Sequence, residues 1–271
     1  MNAEEVLKKG VDDIFHNETI NTLINHRSIR SFENTPLTDE QIQTIIQAAQ
    51  SASTSSFIQA YSIIGVKDPE KKRILAEYAG NQSYVAENGH FLVFCADMHR
   101  HVLAAEIENL DPELIRPSLE STEKFLVSVV DATLAAQNAA TAAESMDLGI
   151  CYIGGIRNQL DKVMELLSCP PYVLPLFGMA IGVPSNTSDR KPRLPFHHIY
   201  HEDSYQPDDH QLKEDLKKYN QTISLYYKER TKGKRTDRWT KQMMTLLERR
   251  SRMTMRHLIQ QQGFMKDESD E

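Results

Sequence analysis

A long segment near the middle of the chain is rich in small residues and carries both a start and a stop signal for a helix. Ser121 or Thr122 can accept a hydrogen bond from the first turn, the segment runs to about Asp147, and Gly149 lies just beyond it. Its alanines are Ala132, Ala135, Ala136, Ala139, Ala140, Ala142 and Ala143. Because side chains this small let neighbouring elements approach closely, we expect the central helix of a core or of a dimer interface. An ordinary buried helix would show the same pattern.

The remaining segments predict several helices and a few separate strands. Thr38–Gln41 has the form of a capping box and begins a helix, whereas Tyr61–Val66 predicts a strand. Further helices are predicted at 16–24, 69–78, 158–167, 208–227 and 240–262, and further strands at 91–96, 150–153 and 173–183. This irregular succession indicates an α+β fold. We expect one domain with a helical arm over 1–25, a core over 26–207 and a helical extension over 208–271.

Composition excludes some classes of function. The net charge of -7 and the pI near 5.8 argue against a general nucleic-acid binder, which needs a basic face. The cysteines Cys95, Cys151 and Cys169 form no C-x-x-C pair, so neither a disulfide framework nor a zinc knuckle is indicated. The N-terminus lacks the apolar core of a signal peptide, and no stretch has the roughly 20 apolar residues needed to span a bilayer. We therefore expect a cytoplasmic protein that binds neither nucleic acid nor membrane.

The common glycine-rich and catalytic motifs are missing. The sequence contains neither G-x-G-x-x-G nor G-x-x-x-x-G-K-[ST], and it has 11 glycines in all. It also lacks the G-x-S-x-G elbow and the H-E-x-x-H zinc motif. A phosphorylated ligand would therefore be held largely by cationic side chains.

Two short cationic motifs could supply that grip. In HRSIR, at 26–30, Arg27 and Arg30 are spaced to converge on one anion, and Ser28 adds a hydroxyl. In KPRLP, at 191–195, two prolines stiffen the backbone around Lys191 and Arg193. Taken alone, each motif favours a solvated surface loop.

Two further motifs suit a flat heterocycle. STSSFIQ, at 53–59, brings hydroxyls, an amide and Phe57 together at the end of a helix. In YIGG, at 152–155, paired glycines after a strand let a flat ligand approach the backbone closely. A serine-rich helix end and a tight turn would account for the same residues.

Along the chain these motifs follow one another as HRSIR, STSSFIQ, GNQ at 80–82, YIGG and KPRLP. This order resembles the FMN-dependent nitroreductase family. The similarity is to its NADPH-linked nitroreductase/flavin reductase branch and extends from about Asn25 to Gly263. Phe94–Asp97, Leu174–Gly178 and the alanine-rich helix match as well. The resemblance implies a nitroreductase-like α+β fold with a central, mostly antiparallel sheet flanked by helices. It also implies an intertwined homodimer with two FMN sites at its interface.

The resemblance also implies the residues that bind FMN, and it assigns no catalytic side chain. The arginines of HRSIR would lie near the phosphate and the pyrimidine, and the cations of KPRLP near the phosphate and the flavin edge. The partner subunit would contribute from STSSFIQ, where Ser56 and Phe57 would face the substrate pocket. The implied FMN contacts are His26, Arg27, Ser28, Arg30, Ser53, Thr54, Ser55, Gln59, Gln82, Tyr152, Ile153, Gly154, Gly155, Lys191 and Arg193.

A basic stretch at 228–239 matches the loop that meets the NADPH 2′-phosphate in this branch. It stands out in an acidic chain, so an anionic ligand would be drawn to it, although a solvated mobile loop would have the same composition. Arg235 is the first candidate among Arg230, Lys232, Lys234, Arg235 and Arg238. Two features depart from the family pattern: about fifteen extra N-terminal residues, and Thr54 within the serine run.

The expected activity is transfer of electrons from NADPH through FMN to nitroaromatics, quinones or flavins in a ping-pong reaction. Alternatives are a flavin reductase that supplies free reduced FMN and a non-enzymatic flavin-binding redox sensor. A third alternative is a metal site, because His197 and His201 have a spacing that binds zinc on a helix. The sequence offers no obvious carboxylate or thiolate to complete such a site, so we predict that no metal binds.

Overall fold

The computed structural model describes residues 14–187, 189–206 and 208–267. The chain forms two compact units, the first made of the residues up to Arg27 with Asp189–Ser251 and the second of Ser28–Ser188 with the residues from Arg252 on. Much of the predicted N-terminal arm and the end of the acidic tail lie outside the described residues.

A four-stranded antiparallel sheet is the centre of the second unit. Its strands are β1 (Tyr61–Val66), β2 (His90–Asp97), β3 (Gly149–Ile153) and β4 (Val173–Gly182), in the order β1-β2-β4-β3. The inner strands β2 and β4 are buried along almost their whole length, because helices cover both faces of the sheet. This double burial explains why both strands read as continuous apolar runs in the sequence.

Helices account for most of the remaining chain. The first unit holds α1 (Glu18–Ile24), α8 (Asp209–Arg230) and α9 (Trp239–Glu248), and the second holds α2 (Asp39–Gln50), α3 (Pro69–Tyr78), α4 (His99–Ile107), α5 (Pro112–Leu119), α6 (Thr122–Ser145), α7 (Leu160–Leu166) and α10 (Met255–Gln261). The predicted α+β class is confirmed. The predicted capping box is confirmed too, since Gln41 N donates to Thr38 Oγ1 at 3.1 Å and Thr38 N donates to Gln41 Oε1 at 2.9 Å.

The alanine-rich segment is the central helix α6, as predicted. Ser121 caps it by accepting a hydrogen bond from Lys124 N at 3.2 Å. All of its seven alanines except Ala142 are buried in one cluster with residues of the sheet and of α2. Helices α3 and α7 and a 3-10 helix at Gly154–Gln159 form a second cluster with the sheet. Small side chains on α6 thus allow close packing of helix on sheet.

One helix prediction is wrong and two helices were not predicted. The segment 240–262 is divided into α9 and α10, and Arg250 (φ 44°) and Arg252 (φ 59°) between them have left-handed backbone that a helix cannot contain. Helices α4 and α5 have no counterpart in the sequence analysis, partly because Pro117 lies inside α5. The predicted helix at 158–167 begins only at Leu160.

The first unit has a small aromatic core of its own. Tyr219, Ile223, Tyr226 and Tyr227 of α8 pack with Leu194 and Trp239. Tyr219 Oη donates to Pro192 O at 2.9 Å, so the helix holds the KPRLP segment in place. Among the described residues, no helix combines the length and the apolar character needed to cross a membrane.

Candidate functional site

The second half of the HRSIR motif is fixed to the edge of the sheet. Ser28 pairs with Ile150 of β3, and Ile29 N donates to Ile150 O at 2.9 Å. Ile29 is buried against Gly149, where a Cβ would lie 2.6 Å from Ile29 Cγ1. Arg30 follows these two residues beside β3, and its guanidinium lies near the hydroxyl of Tyr84. Burial raises the pKa of Tyr84, and the guanidinium opposes that shift.

Gln82 and Gly155 are packed together beside this arginine. Gln82 Nε2 donates to Ala79 O at 2.6 Å, and Tyr84 Oη donates to Gln82 Oε1. A Cβ on Gly155 would lie 2.5 Å from both Ala79 O and Gln82 Nε2. Gln82 thus contacts Gly155 and accepts from Tyr84, which Arg30 approaches, so residues predicted from three separate motifs lie close together.

Tyr152 occupies the other face of the sheet. Its ring lies edge-on to Phe177, with 5.7 Å between centroids, and its Oη is 3.5 Å from Gln137 Oε1 of α6. Alternation along β3 turns Cys151 and Ile153 to the opposite side, where both belong to the second cluster. Burial raises the pKa of the Tyr152 phenol, so its hydroxyl stays protonated at neutral pH.

The STSSFIQ motif forms an exposed loop with an unusual backbone. Ser56, Phe57 and Gln59 have φ of 48°, 60° and 52°, which places three non-glycine residues in the left-handed region. Phe57 is 81% exposed. Among the other predicted residues of the loop, Thr54 Oγ1 accepts from Gln59 N at 3.4 Å, and the Ser55 amide donates to Asp131. The loop therefore presents an aromatic ring and hydroxyls outward.

A cavity of about 740 Å³ in the first unit unites His26 with the KPRLP motif. Lys191 and Arg193 line it, although they lie far from His26 in the sequence, and apolar walls come from Ile24 and Phe196. Neither Lys191 nor Arg193 forms a salt bridge with any described carboxylate. Arg27 is not among the residues that line this cavity. The cavity thus combines two available cations with apolar surface.

His197 and His201 do not share a helix, so the helical i, i+4 geometry of the alternative zinc site is absent. A 3-10 helix ends at His198, and His201 Nδ1 accepts from Gln206 N at 3.3 Å. His197, His198 and Asp215 instead have potential ligand atoms within 4.8 Å of one another, and Asp215 is the carboxylate that the sequence analysis missed.

Asp215 already has hydrogen-bond donors on both of its oxygens. Gln211 Nε2 at 2.8 Å and His197 Nε2 at 2.9 Å approach Oδ2, and Lys218 Nζ at 3.0 Å approaches Oδ1. Hydrogen bonds from Gln211, His197 and Lys218 hold the pKa of this carboxyl well below its usual range. These contacts describe an ion-pair network that supports the cavity wall.

Part of the basic stretch forms a second cationic surface in the first unit. Lys234, Arg235 and Arg238 line a cavity of about 600 Å³, together with Lys241 and Arg249, which the sequence analysis had not selected. Arg235 is oriented by Asp237 Oδ2 at 2.7 Å from its Nε and by the ring of Tyr227, whose centroid is 4.4 Å away. The other two candidates do not line this cavity: Arg230 Nη1 donates to Tyr226 Oη at 3.2 Å, and Lys232 has left-handed backbone.

Comparison with known proteins establishes the family. The model of the Nitroreductase family matches residues 23–183, and that of the Nitroreductase family, C-terminal domain matches residues 191–267. The chain belongs to the nitroreductase family. The resemblance inferred from the motifs is thereby confirmed.

Individual nitroreductase relatives are similar over nearly the full chain. The FMN reductase (NADPH) of Bacillus subtilis (strain 168) is 54% identical over 251 residues, which are 93% of this chain and 100% of the relative. An NADPH-dependent oxidoreductase of Staphylococcus epidermidis (strain ATCC 12228 / FDA PCI 1200) is 46% identical over 243 residues, or 89% of this chain and 95% of the relative. The solved structure of B. megaterium NfrA1 has a TM-score of 0.90 at 58% identity and covers 92% of this chain and 100% of its own. The predicted nitroreductase-like fold is confirmed.

Several residues of the candidate site carried little signal in the sequence. Tyr84 lies outside the recognised motifs, although its partner Gln82 is only two residues away. Asp131 lies within the alanine-rich helix but reaches Ser55 only through a tertiary contact. Asp215 is one of many acidic residues on an amphipathic helix. Lys241 and Arg249 follow the basic stretch at helical spacing, and their positive charge was the sequence signal that could have assigned them to the cationic cavity.

Proposed function

We propose that this nitroreductase binds FMN, takes electrons from NADPH and passes them two at a time to small, flat, electron-poor acceptors such as nitroaromatics, quinones and flavins. The observation that carries the proposal is the cavity on which His26, Lys191 and Arg193 meet, because it joins the charges of Lys191 and Arg193, which form no salt bridge with a described carboxylate, to apolar surface. Relatives named FMN reductase (NADPH) and NADPH-dependent oxidoreductase support the cofactor and the electron donor.

The residues present fit FMN as a ligand. A phosphate needs charged donors in the absence of a glycine-rich loop, and Lys191 and Arg193 are exposed and unpaired within the described residues. A flavin ring needs hydrogen-bond donors at its edge. Gln82 lies against the tightly packed Gly155, and Arg30 lies near Tyr84, which donates to Gln82. The proposed contacts remain those of the motifs: His26, Arg27, Ser28, Arg30, Ser53, Thr54, Ser55, Gln59, Gln82, Tyr152, Ile153, Gly154, Gly155, Lys191 and Arg193.

The protein would contribute binding, orientation and charge. FMN, when bound, supplies the chemistry of hydride uptake and electron release. Lys191 and Arg193 would hold the phosphate, and whichever of them reaches the flavin edge would also favour electron uptake by opposing the negative charge of the reduced ring. Ser56 and Phe57 would face the acceptor, and the exposed Phe57 ring offers a flat surface for an aromatic molecule. No side chain is assigned as a general acid or base.

We also assign NADPH recognition to the cationic cavity lined by Lys234, Arg235 and Arg238. A 2′-phosphate carries the charge that distinguishes NADPH from NADH, and a cluster of cations raises its local concentration. Asp237 and Tyr227 hold the Arg235 side chain in one orientation, which lowers the entropy cost of binding. Lys241 and Arg249 extend the same surface. Arg230 and Lys232, the other two candidates from the sequence, lie outside it.

A homodimer is part of the proposal. Leu126, Val130 and Leu134 of α6 are 54%, 52% and 44% exposed and recur at intervals of four residues, which places them on one face of the helix. An exposed apolar stripe of this kind is typical of an interface. We propose that it meets a second copy and that the STSSFIQ loop reaches the partner's flavin. A cytoplasmic location is supported by the free state of Cys95, Cys151 and Cys169.

Production of free reduced FMN is a second candidate function. It is favoured by the name of the B. subtilis relative, FMN reductase (NADPH). The two functions differ in whether flavin is a bound cofactor or also a released product. The redox-sensor alternative is not supported, because the relatives are named as enzymes.

Purification and anaerobic reduction test the proposal directly. The protein should carry a yellow flavin spectrum that bleaches with NADPH faster than with NADH and recovers on addition of a quinone or a nitroaromatic. Double-reciprocal plots of initial rate against NADPH concentration that stay parallel at several fixed acceptor concentrations would indicate the ping-pong order. Added free FMN that is consumed as a saturable acceptor would favour the second function. A protein without flavin affinity, or one that NADPH does not bleach, would refute the first.

A further inference from the structure

The STSSFIQ loop holds a conformation that its own sequence disfavours. Three left-handed residues, Ser56, Phe57 and Gln59, lie within four positions, and none of them is glycine. Left-handed backbone costs free energy for residues with a Cβ, and a bulky side chain increases that cost. The loop is also largely exposed, so packing of its side chains supplies little compensation. Its conformation therefore needs support from elsewhere in the fold.

A buried carboxylate on α6 supplies this support from one side. Asp131 is fully buried, and its two oxygens accept from Ser55 N and from Ala60 N, each at 3.0 Å. These two amides bracket the strained residues. No described lysine or arginine forms a salt bridge with Asp131, so the backbone amides are the groups that stabilise its charge. Burial, and then the Asp131 charge, raise the pKa of the neighbouring Tyr61.

An arginine on α4 holds the same loop from the other side. Arg100 Nη2 donates to Gln59 O at 3.0 Å and to Tyr61 O at 2.6 Å. Its Nη1 is oriented by Asp97 at 3.1 Å and by Ser62 at 2.9 Å. Asp131 thus accepts hydrogen bonds from backbone amides of the segment from Ser55 to Tyr61, and Arg100 donates hydrogen bonds to backbone carbonyls of the same segment.

We propose that Asp131 and Arg100 form a loop clamp, a pair of positioning residues that keeps the STSSFIQ loop in the shape needed to contact flavin and acceptor. The inference rests on the proposed function, which assigns this loop to the flavin site. A buried unpaired carboxylate is costly in a helix that serves only for packing. Asp131 lies on the helix that carries the proposed dimer stripe, so the clamp ties the loop to the helix that would face the partner subunit.

Asp131→Asn is the main test, because the amide keeps the shape of the carboxylate but puts an N–H donor against a backbone donor. We expect FMN to bind roughly ten- to hundredfold more weakly, the range for loss of a hydrogen bond to a charged group, and the KM for the acceptor to rise more than kcat falls. Ser128→Ala is the matched control. Ser128 is equally buried on α6, but its hydroxyl bonds only Lys124 O of its own helix, at 2.8 Å.

Titration of FMN against flavin-free protein, well below each variant's Tm, separates positioning from stability. A merely structural role would lower the Tm of both variants and leave FMN affinity unchanged in both, which would overturn the proposal. If Asp131→Asn does not fold, Arg100→Lys at this half-exposed position replaces it, since the three N–H groups of a lysine cannot make the four hydrogen bonds of Arg100 to Gln59 O, Tyr61 O, Ser62 and Asp97. Unchanged FMN affinity in that variant is equally decisive. Wild-type protein without bound FMN or NADPH turnover would refute the proposed function instead.

Discussion

Gly155 is the position where one added methyl group tests the packing of the proposed flavin site. In Gly155→Ala the new Cβ would lie 2.5 Å from Ala79 O and 2.5 Å from Gln82 Nε2. The first of these atoms belongs to the backbone at the end of α3 and cannot move away alone. The second would have to abandon its 2.6 Å hydrogen bond to that same carbonyl. Relief of the clash therefore costs either a backbone shift or the Gln82 contact.

Over-packing of this kind costs about 1–3 kcal/mol. For a chain of this size, each kcal/mol lowers the Tm by roughly 2–4 °C. Gly154→Ala is a matched control, because its Cβ would meet only the end of the Arg157 side chain, at 3.2 Å. Both variants share the small gain in stability that comes from replacing glycine in the unfolded chain. Thermal unfolding followed by circular dichroism should show a clear loss for Gly155→Ala and little change for Gly154→Ala.

The same pair of variants also tests the link between packing and flavin. Displacement of Gln82 should weaken FMN binding in Gly155→Ala relative to wild type, as measured by flavin fluorescence. Equal Tm values for the two variants would refute the steric reasoning. A large loss of stability with unchanged FMN affinity in Gly155→Ala would show that Gln82 does not contact the flavin.

Four further outcomes are expected. Arg193→Gln should weaken FMN binding roughly tenfold or more through loss of a charged hydrogen bond, as measured by fluorescence titration. Arg235→Gln should raise the KM for NADPH about tenfold, with little change for NADH and none in FMN affinity, so parallel losses for both nucleotides would contradict its role. Asp215→Asn should lower the Tm at pH 7, because the folded protein holds the pKa of this carboxyl below its unfolded value of 3.8 and the charged form therefore stabilises the fold. The difference in Tm between wild type and variant should narrow as pH falls below 3.8, where acid progressively protonates the carboxylate. A thiol reagent at pH 8 should label Cys169 before Cys95, because a hydrogen bond to Cys169 and burial raise the pKa of the Cys95 thiol; mass spectrometry showing the reverse order would refute this.

Local sequence signals predicted most of the secondary structure. Thr38 with Gln41 and Ser121 with Lys124 are caps whose partners lie three residues away, so the pattern contains the whole interaction. The apolar runs of β2 and β4 are similarly recognisable in the sequence, because burial on both faces leaves apolar residues at every position except the terminal His90 and Asp97 of β2. The division of 240–262 was missed because nothing in the local periodicity marks the left-handed turn at Arg250.

The tertiary structure decided the composition of the candidate site. HRSIR and KPRLP were recognisable as cationic motifs, but only the folded chain puts His26 with Lys191 and Arg193 on one cavity. The contact of Gln82 with Gly155 and the reach of Asp131 to Ser55 likewise join residues more than 70 positions apart. Sequence determines such pairs only through the global packing of helices on the sheet. No short-range periodicity encodes them, because the free energy that brings the partners together is spread over the whole core.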